Sequence, residues 1–377
     1  MIYLDNAATS FPKPAAVPRA VDDYLTCHGA SPGRSGHALS AAAARIVFEA
    51  REALAQLLHV RDSRQIIFTA NATASLNLAL LGFLRVDDHV VTTTLEHNSV
   101  ARPLRHLEES RRVRVTRVAA DAGGRLDPEA IGTAVEKHTR LVVINHASNV
   151  LGTVAPLGSL RAAIGDTPLL VDGSQTVGAM EVDVERDRID MLAFTGHKSL
   201  LGPQGTGGLY VRPGLTLDPV ARGGTGSDSE SDRQPETLPD RYESGTPNGP
   251  GIAGLGAAVT FLLGEGLEAI RQHESRLRDA MVAGLQGIPG VTIFGVPELP
   301  IISFRLAGFS PSEIAHRLDR EYEIMTRPGL HCAPGAHQTI GTFPEGTVRL
   351  SAGFFNTTEE IEEAMEAIRR MSRESGA

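Results

Sequence analysis

Short apolar strands alternate with helices over some 200 residues of the chain, and this alternation constrains the fold more than any other feature. The predicted strands cover residues 65–69, 90–94, 113–118, 141–146, 169–172, 189–194 and 209–211. Strands that alternate with helices are joined by crossovers and lie parallel in one sheet. The pattern therefore predicts an α/β fold with a doubly wound, mainly parallel sheet.

The C-terminal remainder of the chain has a different order of predicted strands and helices. Strands at 291–294, 301–306 and 347–351 and helices at 311–321 and 358–371 occur in mixed order, which is typical of a small α+β domain. A chain of 377 residues is long enough for two domains. We predict a large domain over residues 15–255 and a small domain over 256–377, joined by the N-terminal segment 1–14.

Two stretches near the predicted boundary allow more than one interpretation. Residues 252–285 are amphipathic and are predicted to form one or two helices. Residues 221–256 are rich in glycine, acidic residues and proline. This segment is either a disordered linker or a set of ordered turns that reach a phosphate.

Composition argues against several classes of partner. The chain has 41% hydrophobic and 21% charged residues and a net charge of −9, which gives no reason to expect nucleic acid or an anionic membrane. No apolar segment approaches the ~20 residues of a membrane span, and the N-terminus does not have the pattern of a signal peptide. We therefore expect a cytoplasmic location and, for Cys27 and Cys332, two free thiols.

Two neighbouring strand ends carry an acid and a lysine. Asp172 ends an apolar strand just before Gly173, and Lys198 follows the next strand in Thr195-Gly196-His197-Lys198. In open α/β sheets ligands bind outside the carboxyl ends of strands. Pyridoxal phosphate needs a lysine for its aldehyde and a carboxylate that keeps its ring nitrogen protonated. An ordinary Asp–Lys ion pair explains these two residues equally well.

Three further residues fall at predicted strand ends. Small residues around Thr73 open a helix whose N-terminus can bind a phosphate, although Thr73 can equally be only a cap. His97 can lie on an aromatic cofactor and move protons, or it can be structural. Asn149 adds a hydrogen-bonding group at the same edge. The strand ends together predict one site at this edge of the sheet.

The predicted small domain contributes two candidates. Cys332 lies in the polar loop 325–334, next to glycine and proline, which favours an exposed thiol over a buried one. Arg349, in a predicted strand, can bind a carboxylate through two hydrogen bonds, or it can form a structural salt bridge. No metal site is predicted.

Several motifs in one order carry a resemblance that covers essentially the whole chain. The motifs are Tyr3-Leu4-Asp5-Asn6-Ala7-Ala8, Glu96-His97-Asn98, Ser148-Asn149-Val150-Leu151-Gly152-Thr153, Asp172-Gly173-Ser174-Gln175, Thr195-Gly196-His197-Lys198, Gly245-Thr246-Pro247-Asn248, Arg327-Pro328-Gly329-Leu330-His331-Cys332-Ala333 and Arg349-Leu350-Ser351. Each is weak alone, but the set is specific. The chain resembles cysteine desulfurases of the class V aminotransferase family, in the branch that contains SufS-type enzymes and selenocysteine lyases.

The resemblance implies a fold type I enzyme that binds pyridoxal 5'-phosphate on a seven-stranded, mainly parallel sheet. It also implies a role for each motif residue. The cofactor would be bound by Lys198, Asp172, Gln175, His97, Thr73, Ala72, Thr195 and His197, and by Thr246 from the neighbouring subunit of a homodimer. The substrate would be bound by Arg349, Asn149 and His37, and the catalytic residues would be Lys198, His97 and Cys332.

The implied reaction converts L-cysteine into L-alanine and leaves the sulfur on Cys332 as a persulfide. The thiolate is the reactive form of cysteine, and His97 or His331 would favour it. A persulfide must be passed on, so a sulfur-acceptor protein or a small thiol is an expected partner. The expected setting is sulfur metabolism, including iron–sulfur cluster assembly.

Some residues depart from the family pattern, and other functions stay open. Ala72-Thr73-Ala74-Ser75 stands where relatives often have adjacent threonines, Leu330 stands where histidine is common, and residues 228–240 are acidic. A selenocysteine lyase would use the same residues. Another class V lyase or aminotransferase would not need Cys332. A sulfur carrier or regulatory protein with little turnover is disfavoured by the complete set of site residues.

Overall fold

The computed structural model describes residues 1–33 and 35–374. Its strands are β1 (Ile2–Tyr3), β2 (Ile66–Thr69), β3 (His89–Thr93), β4 (Arg114–Val118), β5 (Thr139–Asn145), β6 (Leu169–Asp172), β7 (Met191–Thr195), β8 (Gly207–Val211), β9 (Val291–Phe294), β10 (Ile301–Leu306), β11 (Ile324–Met325), β12 (Arg327–Gly329) and β13 (Thr347–Ser351). Its helices are α1 (Ala16–Cys27), α2 (Ala38–Leu57), α3 (Ala72–Phe83), α4 (Asn98–Arg111), α5 (Pro128–Ala134), α6 (Leu157–Ile164), α7 (Gly249–Glu265), α8 (Leu267–Gln286), α9 (Pro311–Tyr322), α10 (Pro334–Thr339) and α11 (Thr358–Glu374).

A seven-stranded sheet forms the centre of the molecule, in the order β2-β8-β7-β6-β5-β3-β4. Strands β7, β6, β5, β3 and β4 lie parallel to one another, while β8 is antiparallel to both β2 and β7. Helices cover both faces, so β6 and β7 are buried along their whole length and are apolar up to their last residues, Asp172 and Thr195. The predicted α/β class with a seven-stranded, mainly parallel sheet is confirmed.

The register of the sheet explains why the candidate residues meet. Asn145 at the end of β5 pairs with Asp172 at the end of β6, and Asp172 pairs with Ala193 in β7. Strands β5, β6 and β7 therefore end at the same edge. The loops that follow them start side by side, as the position of ligand sites in open α/β sheets requires.

A four-stranded antiparallel sheet, in the order β12-β13-β10-β9, forms the centre of the C-terminal part. Its core includes Leu277, Phe304, Ile314 and Ile368 from α8, β10, α9 and α11. Strand β1 pairs in parallel with β11, and Leu4 is buried in this same core. The N-terminus of the chain is therefore packed against the C-terminal part.

Helices α7 and α8 connect the two parts and are bent by 84° at Gly266. Helix α7 packs on α1 and α2, and its residues through Leu262 belong to the core of the large sheet. The predicted boundary at 255/256 falls inside this helix. We propose Gly266, whose φ of 82° interrupts the helix, as the point of division between the two domains.

Within the described residues, no single helix has the length and apolar character needed to cross a membrane. Only α7 and α8 taken together reach that threshold, and they are separated by the bend at Gly266. Residues 221–248 fold as a series of turns, and Gln234 of this segment donates hydrogen bonds to Asp240 O and Arg241 O, each 3.2 Å long. Ordered turns, rather than a disordered linker, are therefore observed there.

Candidate active site

A cleft of about 210 Å³ lies at the carboxyl edge of the large sheet, against the small domain. Strand ends and α-helix N-termini around the large sheet supply most of its lining, and the N-terminal segment, β12, β13 and the loop after β12 supply the rest. The lining residues are Ala7, Ala8, Asn71, Ala72, Thr73, His97, Ser99, Asn145, Asn149, Asp172, Ser174, Gln175, Thr195, His197, Lys198, Arg327, His331, Cys332 and Arg349. The cleft thus brings together all but two of the predicted site residues.

Asp172 and Lys198 line this cleft from adjacent strand ends. The backbone N–H of Ser174 donates to Asp172 Oδ1 at 3.0 Å, and the Ser174 hydroxyl donates to the same oxygen. Burial lowers the pKa of Lys198 to about 8, and the opposite charge of Asp172 partly offsets this effect. An amine with this pKa is partly neutral at pH 7–8, as a Schiff-base lysine requires.

The peptide just before Lys198 is held by the N-terminal segment. The carbonyl of His197 accepts hydrogen bonds from Thr9 Oγ1 (3.1 Å), Ser10 N (2.9 Å) and Lys13 Nζ (3.1 Å). The Ser10 hydroxyl donates to the Lys198 carbonyl at 2.9 Å. Burial lowers the pKa of Lys13 to about 8. No local pattern indicates these contacts, because they join residues almost 190 positions apart.

His97 begins α4 and lies in the cleft as a neutral imidazole. Its Nδ1 accepts the backbone N–H of Ser99 at 3.1 Å, so the ring proton resides on Nε2. Burial and the charge of Lys198 lower the pKa of His97 to about 4. Burial and the charge of Arg349 lower the pKa of His331 to about 2. With these pKa values neither His97 nor His331 carries a positive charge at neutral pH, so the role of either in favouring a thiolate stays a prediction.

One end of the cleft is suited to an anion. Helix α3 begins there with Ala72 and Thr73, and the Thr73 and Ser99 hydroxyls share a hydrogen bond of 2.7 Å. His197 Nδ1 is buried, and none of the described residues is its hydrogen-bond partner. Thr195 makes only a 3.5 Å contact with Thr206 O. A helix N-terminus, an unpaired ring nitrogen and two hydroxyls form a donor set that suits a phosphate.

The residues present therefore fit pyridoxal phosphate. The cleft offers phosphate donors, an amine for the aldehyde and a carboxylate for the ring nitrogen. Gln175 lines the same cleft, where its amide donates to Ala7 O at 3.1 Å.

Arg349 is fully buried in β13 and already has partners in this structure. Its Nη2 donates to Asp5 Oδ1 at 2.6 Å, and its Nη1 donates to Asn149 O at 3.0 Å. Its Nε has no hydrogen-bond partner among the described residues, and the same holds for the buried Asn149 Oδ1. The structural salt bridge weighed from the sequence is therefore present, and the guanidinium also lines the cleft.

Cys332 is exposed at the edge of the cleft. Both Cys332 and His331 have left-handed backbone conformations, with φ of 58° and 50°. The Cys332 carbonyl accepts the backbone N–H of Asn98 at 2.8 Å, and the His331 carbonyl accepts the Asn149 side chain at 2.7 Å. The expected exposure of the thiol is thus observed, on a segment tied to the large domain.

Two predicted residues lie outside the cleft. His37 is exposed and caps α2, with its Nδ1 accepting Ser40 N at 3.2 Å. Thr246 is exposed and lines a second cavity of about 680 Å³ between the turns of residues 220–248 and the start of α3. Their roles in binding stay predictions.

Some lining residues had no role assigned from the sequence. Arg327 lines the cleft as a second guanidinium, and Ser99 and Ser174 orient His97 and Asp172. Arg327 lies in the same conspicuous loop as Cys332, which was the available signal. The two serines follow their partners by two residues, a spacing that suits side-chain hydrogen bonds at a strand end.

The mainly parallel sheet, with a lysine and an aspartate at adjacent strand ends, defines a fold type I enzyme of the kind that uses pyridoxal phosphate. The family model for aminotransferase class-V matches residues 2–364, and the chain belongs to this family. A probable cysteine desulfurase of Methanothermobacter thermautotrophicus is 38% identical over 371 residues, covering 96% of this chain and 92% of the relative. One from Pyrococcus abyssi is 34% identical, with coverage of 96% and 92%.

Solved structures agree with the sequence relatives. The apo structure of a cysteine desulfurase from Thermococcus onnurineus NA1 superposes with a TM-score of 0.93 at 32% identity, covering 99% of this chain and 95% of that one. The cysteine desulfurase CsdA from Escherichia coli gives a TM-score of 0.89 at 27% identity, with coverage of 98% and 94%. The resemblance named from the motifs is confirmed.

Proposed function

We propose that the chain is a pyridoxal-phosphate-dependent cysteine desulfurase. It converts L-cysteine into L-alanine and takes the sulfur onto Cys332 as a persulfide. The observation that carries the proposal is the position of an exposed cysteine at the edge of the cleft that contains Lys198 and Asp172. The relatives described as cysteine desulfurases, similar over nearly their full length, support it.

The cleft residues divide between the cofactor and the substrate. Bound pyridoxal phosphate would supply an electron sink for the α-carbon of the substrate. Lys198 would hold its aldehyde, Asp172 its ring nitrogen and Gln175 its ring hydroxyl, with His97 over the ring. The phosphate would be bound by Ala72, Thr73, Thr195 and His197. Arg349 would bind the substrate carboxylate through its Nε–H, which is buried beside the cleft and unpaired among the described residues. Asn149 would join it through Nδ2, the donor of its side chain.

Lys198 is the group best suited to move a proton. Its Nζ has a pKa of about 8, whereas burial keeps His97 and His197 neutral with pKa values of about 4. A base works best when its pKa lies near the working pH. Lys198 Nζ would therefore accept the α-proton of the substrate, while His97 would orient and cover the reacting group as a neutral ring.

The sulfur step balances with one cysteine of the protein. The Cys332 thiolate attacks the sulfur of the substrate, an S–S bond forms, and the C–S bond of the substrate breaks. The β-carbon of the substrate takes up the bonding electrons and a proton. Alanine then leaves, and the protein keeps Cys332–S–SH. Lys198, Arg327 and Arg349 are the cations that share the cleft with this thiol, and they would favour its anionic form.

Further parts of the proposal concern partners. A sulfur-acceptor protein or a small thiol would remove the persulfide, in the cytoplasm and in support of iron–sulfur cluster assembly. A homodimer would bring Thr246 to the phosphate of the neighbouring subunit, since Thr246 is exposed and lines the second cavity rather than this cleft.

The test measures alanine and sulfide released from L-cysteine in the presence of a reductant. The wild-type protein should release both in equal amounts, while Cys332→Ala and Lys198→Ala should release neither. Cys27→Ser is the matched control, because Cys27 is also exposed but lies outside the cleft. Alanine formation by Cys332→Ala at the wild-type rate would refute the role of this thiol and favour another class V reaction.

A further inference from the structure

Two buried histidines, His337 and the residue that precedes Cys332 in the chain, are in contact. His331 Nδ1 and His337 Nε2 are 3.3 Å apart, and the two rings have centroids 5.4 Å apart. His331 is 4% exposed and His337 is fully buried. His331 Nε2 is 2.9 Å from Arg327 O, and His337 Nδ1 is 2.7 Å from Thr342 Oγ1. Four groups thus form one continuous hydrogen-bonded chain.

Burial keeps both rings neutral, because it lowers the pKa of His331 to about 2 and that of His337 to about 4. For two neutral rings, the Arg327 carbonyl then fixes the direction of the bonds in this chain. A carbonyl oxygen only accepts, so His331 Nε2 carries the ring proton and His331 Nδ1 accepts. His337 Nε2 then donates to His331 Nδ1, which leaves His337 Nδ1 as an acceptor for the Thr342 hydroxyl, and both rings are Nε2–H tautomers.

The charges around the two rings agree with this assignment. Burial and the charges of Arg349 and Arg327 lower the pKa of His331 to about 2, although its bond to the Arg327 carbonyl acts in the opposite direction. Burial and the charge of Arg305 lower the pKa of His337 to about 4. No acidic group contributes to either shift. In this arrangement a second proton on Nδ1 of His331 would face the N–H of His337.

The chain supports an unusual backbone. His331 and Cys332 are consecutive left-handed residues, a conformation that side chains other than glycine adopt only when their surroundings enforce it. Their carbonyls are held by Asn149 and Asn98 of the large domain. The His331 ring provides a further attachment, to Arg327 O and to His337 in α10, which in turn bonds to Thr342. The thiol is therefore presented by a segment that is held both by its backbone carbonyls and by the His331 ring.

We propose that His337 is a positioning residue for Cys332, which it holds in place through His331 along the directed chain Thr342–His337–His331–Arg327. The inference deepens the proposed function, because it assigns a means of presenting the sulfur nucleophile. It also assigns His331 a structural tautomer instead of acid–base work.

Two substitutions at one position separate the donor from the acceptor of His337. In His337→Gln the side-chain amide places an N–H donor where Nε2 lies, so the bond to His331 is retained. In His337→Asn the amide reaches only the position of Nδ1, so the bond to Thr342 is retained and the bond to His331 is lost. Thr342→Val removes the hydroxyl that donates to His337 Nδ1, and Thr342→Ser is its matched control.

The kinetic test uses the holoenzyme with L-cysteine. His337→Asn should lower kcat at least tenfold and leave KM within about twofold, because Arg349 and Asn149 are unchanged. His337→Gln should keep kcat within about twofold of the wild type. The kcat of Thr342→Ser should be higher than that of Thr342→Val. Equal losses in His337→Gln and His337→Asn would overturn the proposal, as would a change confined to KM.

A second measurement does not depend on turnover. In protein labelled with ¹⁵N-histidine, the ring nitrogens of His331 and His337 should show the neutral Nε2–H tautomer without titration from pH 6 to 9. The signals are assigned with His331→Gln and His337→Gln. An imidazolium or an Nδ1–H tautomer at either position would overturn the directed chain. If Cys332→Ala still produced alanine, the proposed function would fail, while the tautomer result would stand separately.

Discussion

Glu274 in α8 should make the protein less stable as the pH rises, and Glu274→Gln should remove this effect. The side chain is 7% exposed and lines a small cavity of about 30 Å³ with Ser10, Gln175 and Ser199. No group among the described residues forms a hydrogen bond or an ion pair with it. Burial alone raises the pKa of Glu274 from its ordinary 4.5 to about 8.

The sign follows from proton linkage. The folded state holds the proton of Glu274 more tightly than the unfolded chain, so folding is favoured while the pH is low enough to keep the folded group protonated. This stabilisation is complete below pH 4.5 and is lost as the pH rises through about 8. Each pH unit between these limits changes the free energy of unfolding by about 1.4 kcal/mol, which sets an upper bound on the order of 5 kcal/mol.

The assay compares urea unfolding of the wild type and Glu274→Gln at pH 5, 7 and 9. Circular dichroism follows the transition, because the chain contains no tryptophan. The amide has nearly the same shape and does not ionise, so the variant should match the wild type within about 1 kcal/mol at pH 5 and exceed it by several kcal/mol at pH 9. Exposed Glu268 on the same helix supplies the control Glu268→Gln, which should follow the wild type. Parallel pH profiles for the wild type and Glu274→Gln would refute the reasoning.

Two other substitutions test the supports of the site and the fold. Lys13→Met should weaken binding of pyridoxal phosphate about tenfold, since a charged donor to the His197 carbonyl is worth ~1.5–3 kcal/mol. Lys13→Arg should recover part of the lost affinity. An unchanged affinity of Lys13→Met in a spectroscopic titration would contradict the prediction. Arg51→Ala should destabilise the protein by about 3–5 kcal/mol, because it leaves the mostly buried Glu243 without its bidentate partner. Thermal unfolding checks this value, and Arg51→Ala/Glu243→Gln should be less destabilised than Arg51→Ala.

Periodic patterns in the sequence predicted much of the small domain. Strands β9, β10 and β13 occupy the residues expected, and α9 and α11 extend past their predicted ends by one and three residues. Residues typical of element boundaries mark the ends of these elements. An example is Ser310-Pro311 at the start of α9, where Ser310 caps the helix. Local sequence signals suffice to predict an element when residues close to each other determine both its start and its buried face.

The antiparallel direction of β8 could not be predicted from the sequence. Its residues are as apolar as those of a parallel strand, yet it pairs antiparallel with β2 and β7. Gly207 and Gly208 permit this arrangement, because an added Cβ would lie 2.7 Å from Phe194 O and 2.4 Å from the Phe194 ring. Such contacts depend on which strands become neighbours, and a single sequence does not specify that.

The site shows the same division between local and distant information. Strand ends located Asp172, His97 and Asn149 in the sequence, because parallel strands end at one edge. The contacts that set their chemistry come from far along the chain, such as Lys13 on the His197 carbonyl. Burial then decides protonation, and burial is a property of the assembled domains.

The protonation states in the cleft indicate which of its groups can act as a base. Burial keeps His97, His197 and His331 neutral at physiological pH, since it lowers the pKa of each to about 4 or below. A guanidinium group does not serve as a base in proteins. Among the described residues that line the cleft, Lys198 is therefore the nitrogen base whose pKa, about 8, lies near the pH of the cell. In the proposed function the same nitrogen would hold the cofactor and move the proton, so the two tasks would alternate. The pH dependence of turnover should then follow the amine of Lys198 instead of an imidazole.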